Sequence, residues 1–72
     1  MSTLARNIRG AREALGLSIR QAATRAGIAQ PEWSRYESGQ RLPTLPRLAL
    51  VATALGLEPA DLLVGVEPDS LG

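Results

Sequence analysis

The sequence predicts an all-α fold of five short helices in one domain. Four glycines each follow a stretch with helical periodicity, and glycine is the usual residue past a helix end because it adopts the left-handed conformation without strain. These glycines are Gly16, Gly27, Gly39 and Gly56. The 72 residues leave room for a single domain. We expect that domain to span residues 1–64, with a short tail at 65–72.

Helices 1 and 2 have the clearest boundaries. Helix 1 is predicted from Leu4 to Leu15, because apolar residues recur on one face at spacings of four and three. Helix 2 is predicted to begin after Ser18. Gln21, three residues later, completes a capping box in which two otherwise unpaired backbone N–H groups gain acceptors.

Helices 3 to 5 follow in order. Helix 3 is predicted over Gln30–Ser38, with Pro31 in its first turn, where the missing N–H of proline costs nothing. Helix 4 is predicted to begin after Thr44, and a short helix 5 is expected at Pro59–Val64. The apolar stripe of helix 4 that we expect to face the core consists of Leu45, Leu48, Ala49, Ala52 and Leu55.

Composition argues against catalysis and indicates a polyanionic partner. The chain has no cysteine and no histidine, so it lacks thiolate metal ligands and the commonest general base, and we expect no enzyme activity, no metal and no cofactor. All eight basic residues are arginines within residues 1–47, which hold three acids and carry a net charge of +5. Residues 48–72 hold four acids and no base, a net charge of −4. This polarity favours one face that meets a polyanion, and an unevenly charged, purely solvated surface is the alternative.

The most informative segment is residues 19–39, IRQAATRAGIAQPEWSRYESG. Two short helices meet there at a tight turn on Gly27, and small or apolar residues at their contact allow them to pack at a steep angle. This arrangement is typical of a DNA-binding helix-turn-helix, in which helix 2 braces helix 3 and the outer face of helix 3 enters the major groove. Trp33 and Tyr36 are three residues apart on the core side of helix 3, which favours core packing over base stacking.

Several features occur in register along the chain. They are Gly-Leu-Ser before helix 2, Ala-Gly-Ile at the turn, Tyr-Glu-Ser-Gly closing helix 3 and Ala-Leu-Gly-Leu at the end of helix 4. With the order of the five helices, they make residues 4–64 resemble the Cro/cI-type, lambda-repressor-like helix-turn-helix domains (XRE family) of phage repressors and related bacterial regulators. The resemblance implies a compact five-helix domain that regulates transcription by sequence-specific binding to double-stranded DNA, as a repressor of the phage or prophage type.

The resemblance also implies which residues contact DNA. The positions that face base edges in this family are Gln30, Glu32, Ser34 and Arg35. Since arginine suits guanine and glutamine suits adenine in the major groove, we expect Arg35 to read a guanine. The positions that touch the DNA backbone are Arg20, Gln21, Ser38, Gln40 and Arg41. For each of these residues, a solvated surface side chain is the alternative.

Two residues depart from the family pattern, and one pair matches it. Ala29 stands where serine or threonine usually caps helix 3, so this helix has an alternative start one residue later, with Gln30 as its cap. Ile19 replaces a glutamine that often contacts phosphate, so that contact is lost or moves to Arg20. The matching pair is an arginine and a glutamate that form a partly buried salt bridge between helices 1 and 3. Its members here are Arg12 and Glu37.

Members of the family commonly bind two-fold symmetric sites as dimers, so we expect a homodimer at least on DNA. The expected dimer contact consists of Leu50, Ala54, Leu57, Val64 and Val66, and the alternative is that these residues cover the core of a monomer. A second function class is a helix-turn-helix that serves as a protein-interaction module, such as an antitoxin or accessory subunit. The polar outer face of helix 3 favours DNA over that class. We expect no membrane partner and no small-molecule ligand, and a location in the cytoplasm of a bacterial or phage-infected cell.

Overall fold

A computed structural model describes residues 2–66, and over that range it consists of five helices joined by short turns. The helices are α1 (Thr3–Ala14), α2 (Ile19–Ala26), α3 (Gln30–Ser38), α4 (Leu45–Ala54) and α5 (Pro59–Leu62). The predicted all-α, five-helix fold is therefore confirmed. Of the expected tail at 65–72, residues 67–72 lie outside the described part of the chain. None of the described helices has the length and apolar character needed to cross a bilayer.

Local capping determines where α2 and α3 begin. At α2, the Gln21 backbone N–H donates to the Ser18 hydroxyl at 3.0 Å and the Ser18 N–H donates to Gln21 Oε1 at 2.8 Å, which completes the capping box. At α3, Ala29 has extended backbone angles and its carbonyl accepts from the Trp33 N–H at 3.2 Å. Gln30 is therefore the first helical residue, and the alternative start with Gln30 as the cap is wrong.

Helix α5 ends at Leu62, two residues before the predicted end at Val64. Beyond Leu62 the backbone leaves the α-helical pattern, because the Leu63 N–H donates to the carbonyl of Ala60, three residues back, at 3.1 Å. The Asn7 side-chain amide of α1 donates to the carbonyls of Leu62 at 2.9 Å and Val64 at 2.8 Å. Gly65 follows with a φ of 76°, in the left-handed region, and turns the chain. The amide of Asn7 thus pairs two carbonyls at and just beyond the end of α5, where a helix leaves its last carbonyls without internal donors.

The core surrounds Trp33, which is fully buried together with Ile8, Val51 and Leu62. Helix α3 packs against α1 and α2, and α4 packs against α2 and α5. Three alanines of α2 are buried, which lets its neighbours approach closely. Each helix thus contributes to one core, and α3 is supported from behind by two helices.

The predicted orientation of α4 is wrong in part. Leu48, Ala52 and Leu55 are buried as expected, but Leu45 is 76% exposed and Ala49 is also exposed. Val51 and Ala54 are buried in their place. The helix is apolar on several sides, and its packing against both α2 and α5 shifts the buried arc toward Val51.

The burial of Ala54 also corrects the predicted dimer contact. Ala54 is only 7% exposed because it packs in the core, so it has little surface to offer a second copy. The other four predicted contact residues keep some exposed surface.

Candidate nucleic-acid interface

The turn between α2 and α3 sets the angle at which the two helices meet. Gly27 has a φ of 72°, and its N–H donates to the Thr24 carbonyl at 3.2 Å, while the Ile28 N–H donates to the Ala23 carbonyl at 3.1 Å. A Cβ at Gly27 would meet nothing within 4 Å. The backbone conformation, and not crowding, is therefore what calls for glycine here.

Helix α3 has a buried face and an exposed polar face. Trp33, Tyr36 and Glu37 point into the protein and are buried. The opposite face is exposed over a full helix length and carries Gln30, Pro31, Ser34, Arg35 and Ser38. Since the buried residues fix the rotation of α3 about its axis, the polar face is held toward solvent in a defined orientation.

Glu37 lies at the centre of a buried hydrogen-bond cluster that joins α1 to α3. Arg12 donates to its carboxylate through Nε at 2.6 Å and Nη2 at 3.0 Å, and through Nη1 to the Leu17 carbonyl at 2.8 Å. Trp33 Nε1 donates to the same carboxylate from within α3. The hydrogen bond to Glu37 raises the pKa of Arg12 above its usual value, against the opposing effect of burial.

Glu32 is engaged within the protein. Its carboxylate accepts a hydrogen bond from the Tyr36 hydroxyl at 2.6 Å and lies 3.5 Å from Arg47 Nε at the start of α4. Burial, and then the hydrogen bond to Glu32, raise the pKa of Tyr36 to about 12. Of the four residues predicted to face bases, Glu32 is thus the one whose charge is already paired. Arg47, which pairs with it across two helices, was missed by the sequence analysis.

The residues predicted to contact the DNA backbone lie on or next to the exposed face of α3. All five are exposed. Arg20 and Gln21 lie at the start of α2, and the other three lie at or just after the end of α3: Ser38, Gln40 and Arg41. The capping box uses Oε1 of Gln21, which leaves its Nε2 as the group that can donate to an anion. The hydroxyl of Ser38 donates to the Arg35 carbonyl at 3.1 Å.

The exposed large apolar side chains of the described residues belong to segments other than α3. Among the predicted dimer residues, Val64 is 70% exposed and Leu50 is partly exposed, whereas Leu57 and Val66 pack against the core. A shallow apolar groove is also present, lined by Leu4, Leu42, Pro43, Leu45, Leu48 and Leu63. Within residues 2–66, no group of histidine, cysteine or carboxylate side chains is arranged to hold a metal ion.

Comparisons with known proteins agree with this architecture. The chain belongs to the helix-turn-helix domain family, whose sequence profile matches residues 3–63. The structure is similar to that of the restriction-modification controller protein C.AhdI from Aeromonas hydrophila, with a TM-score of 0.81 and 33% sequence identity. That similarity covers 83% of this chain and 91% of the controller protein. Comparison with curated protein sequences gives no match.

Proposed function

We propose that this protein is a sequence-specific transcriptional regulator that binds double-stranded DNA by placing α3 in the major groove. The observation that carries the proposal is the exposed polar face of α3, which the buried side chains of Trp33, Tyr36 and Glu37 hold in one orientation. A recognition helix needs such support, because its side chains must meet base edges at fixed positions.

Two residues are assigned the reading of bases. Arg35 is exposed near the middle of α3 and has the donors for paired contacts to O6 and N7 of guanine, and Gln30 in the first turn suits adenine. Glu32 is assigned a supporting role, since its carboxylate bonds to Tyr36 and pairs with Arg47. Ser34 lies one turn from Gln30, and we place it at the edge of the groove.

The flanking polar residues are assigned to the DNA backbone. Arg20 and Gln21 lie at the start of α2 on one side of α3, and Gln40 and Arg41 follow its end. Contacts of this kind fix the position of a protein on the duplex without reading sequence. They also make binding weaken as salt rises, because each neutralised phosphate releases counterions.

We further propose that the protein binds a two-fold symmetric operator as a homodimer. A single recognition helix covers few base pairs, and the exposed Val64 and Leu50 offer apolar surface for a second copy. The test is Val64→Asp, with Leu15→Asp as the matched control. Leu15 is also an exposed apolar residue, at 51%, but it lies at the C-terminal end of α1 and outside the proposed contact. Sedimentation should show that V64D is monomeric while L15D matches the parent. A dimeric V64D would exclude this surface.

Repression of transcription in the bacterial cytoplasm is the proposed outcome of binding. The resemblance to phage repressors supports it, and the similarity to a restriction-modification controller supports gene regulation by a chain of this size. In a transcription assay with a promoter that overlaps the operator, we expect transcript to fall as protein is added. A rise would identify an activator.

The proposal is tested by selecting bound duplexes from a random DNA library at two salt concentrations. We expect a two-fold symmetric motif that is enriched at both concentrations and bound more weakly at the higher one. Weak binding without an enriched motif would contradict the proposal and would favour a protein-interaction module.

A further inference from the structure

We propose that a cleft between α1 and α3 binds one phosphate of the DNA backbone, and that Arg9 supplies the cationic contact. This inference rests on the proposed function and adds to it a binding residue that the sequence analysis did not single out. The α1–α3 cleft is lined by Arg9, Arg12, Ile19, Ser34, Glu37 and Ser38.

Arg9 is the cation in this cleft that remains available to a ligand. The charge of the Arg12 guanidinium is already paired, because Nε and Nη2 donate to the Glu37 carboxylate while Nη1 donates to the Leu17 carbonyl. The charges of Arg12 and Glu37 therefore cancel at the floor of the cleft. Within residues 2–66, Arg9 pairs with Glu13 alone, at 3.6 Å, and both side chains are more than half exposed. An exposed pair of this kind is weak and screened by salt, so a phosphate can displace the carboxylate.

The position of the cleft matches the path of a DNA backbone. Ser34 and Ser38 lie one turn apart at the border of the exposed face of α3, where it meets α1 and the start of α2. With α3 in the major groove, the sugar–phosphate strand beside it runs along that side. Ile19, the first residue of α2, borders the cleft and has no side-chain donor. Since the Ser38 hydroxyl already donates to the Arg35 carbonyl, the donors offered to a ligand are the guanidinium of Arg9 and the hydroxyl of Ser34.

The ligand that fits is a phosphodiester. Its two non-bridging oxygens share one negative charge and accept hydrogen bonds, which the guanidinium of Arg9 and the hydroxyl of Ser34 can donate together. A phosphate contact carries no base preference, so Arg9 is expected to contribute affinity on every duplex and leave the preferred motif unchanged.

The test compares Arg9→Ala with Arg6→Ala on the operator obtained by selection. Arg6 is also exposed, lies on the same helix and does not line the cleft, so its removal changes the net charge equally. Affinity is measured over a range of salt concentrations. We expect R9A to reduce the slope of log K against log salt by about 0.9, the value for one phosphate. R6A should keep the parent slope, and Arg9→Lys should restore it.

A second measurement locates the phosphate. Operators that carry one neutral methylphosphonate at successive positions are titrated with the parent and with R9A. One position should weaken the parent and leave R9A unaffected, because the contact is already gone. If R9A keeps the parent slope, or if every methylphosphonate weakens both proteins equally, the inference is wrong. Failure of the parent to bind any duplex specifically would instead overturn the proposed function, and with it this inference. Matching unfolding curves for R9A and the parent will show that the fold is intact.

Discussion

The Glu37→Gln variant tests the buried cluster that holds α3 against α1. In the parent protein, the Glu37 carboxylate accepts from Arg12 Nε at 2.6 Å and Nη2 at 3.0 Å, and also from Trp33 Nε1. A glutamine of the same size keeps one acceptor oxygen. Its NH₂ group replaces the other acceptor with a donor, which then faces the N–H groups that donated to the carboxylate. The charge of Arg12 is also left unpaired, in a site where the arginine side chain is only 12% exposed.

The expected cost follows from this burial. Removing one partner of a buried ion pair costs about 3–5 kcal/mol, because the remaining charge has no compensation. A domain of this length has a total stability of about 4–11 kcal/mol. Since ~1 kcal/mol shifts the melting temperature of such a domain by 4–8 °C, we expect E37Q to melt at least about 12 °C below the parent.

Trp33 provides the assay. It is the one tryptophan in the chain and is fully buried, so its fluorescence reports unfolding from a single place in the core. The matched control is Glu13→Gln, the same substitution at an exposed glutamate, which should stay within about 0.5 kcal/mol of the parent. Arg12→Met combined with Glu37→Met should lose less than the sum of the two single variants, because no unpaired charge is left. An E37Q variant that melts with the parent would refute the reasoning.

Three further predictions concern stability. Ala29→Ser should raise the free energy of unfolding by about 1 kcal/mol, since α3 has no side-chain cap, and an unchanged denaturant midpoint would contradict this. Asn7→Ala should cost about 1–3 kcal/mol in the same measurement, because two backbone carbonyls at the end of α5 lose their donor; a smaller loss would show that water replaces the amide. The pKa of Tyr36 is about 12 in the folded chain against 10.0 unfolded, so the folded state binds more protons between these values. The stabilisation from this shift is complete below pH 10 and is lost as the pH rises to about 12. When the free energy of unfolding is measured against pH, it should fall over this range in the parent and not, from this cause, in Tyr36→Phe; equal slopes would contradict the assignment.

The order of the helices and most of their ends could be predicted because the signals are local. A capping residue such as Ser18 acts on an N–H three residues away, and a glycine such as Gly27 acts on its own backbone. The polar face of α3 could be predicted for the same reason, since helical periodicity alone separates it from Trp33 and Tyr36. The contact that ties the end of α5 to α1 could not, because its donor, Asn7, lies in a distant part of the sequence.

The rotation of α4 could not be predicted because this helix is apolar on several sides. Leu45 and Ala49 fit an apolar stripe as well as Val51 and Ala54 do, and only packing against α2 and α5 distinguishes the two sets. When a helix is apolar on more than one side, its apolar pattern therefore does not predict which side faces the core.

The partners of the charged residues in the candidate site could not be predicted from helical periodicity either. Glu32 stands at a position that the resemblance predicted to face bases. In the structure its carboxylate accepts a hydrogen bond from Tyr36 and pairs with Arg47. In the sequence, nothing distinguishes Arg9 from other exposed helical arginines; its place in the cleft depends on the packing of α3 against α1. Both depend on contacts between helices, which spacing along one helix does not describe.

The central claim is that the exposed face of α3 reads base sequence, and Arg35 tests it most directly. Duplexes selected from a random library by the parent are compared with those selected by Arg35→Ala under the same salt conditions. We predict that R35A loses preference for one guanine in each half-site, at a cost of about 1–3 kcal/mol on the parent operator, and keeps its other preferences. An unchanged motif, with equal loss on all sequences, would contradict the claim and make Arg35 a phosphate contact.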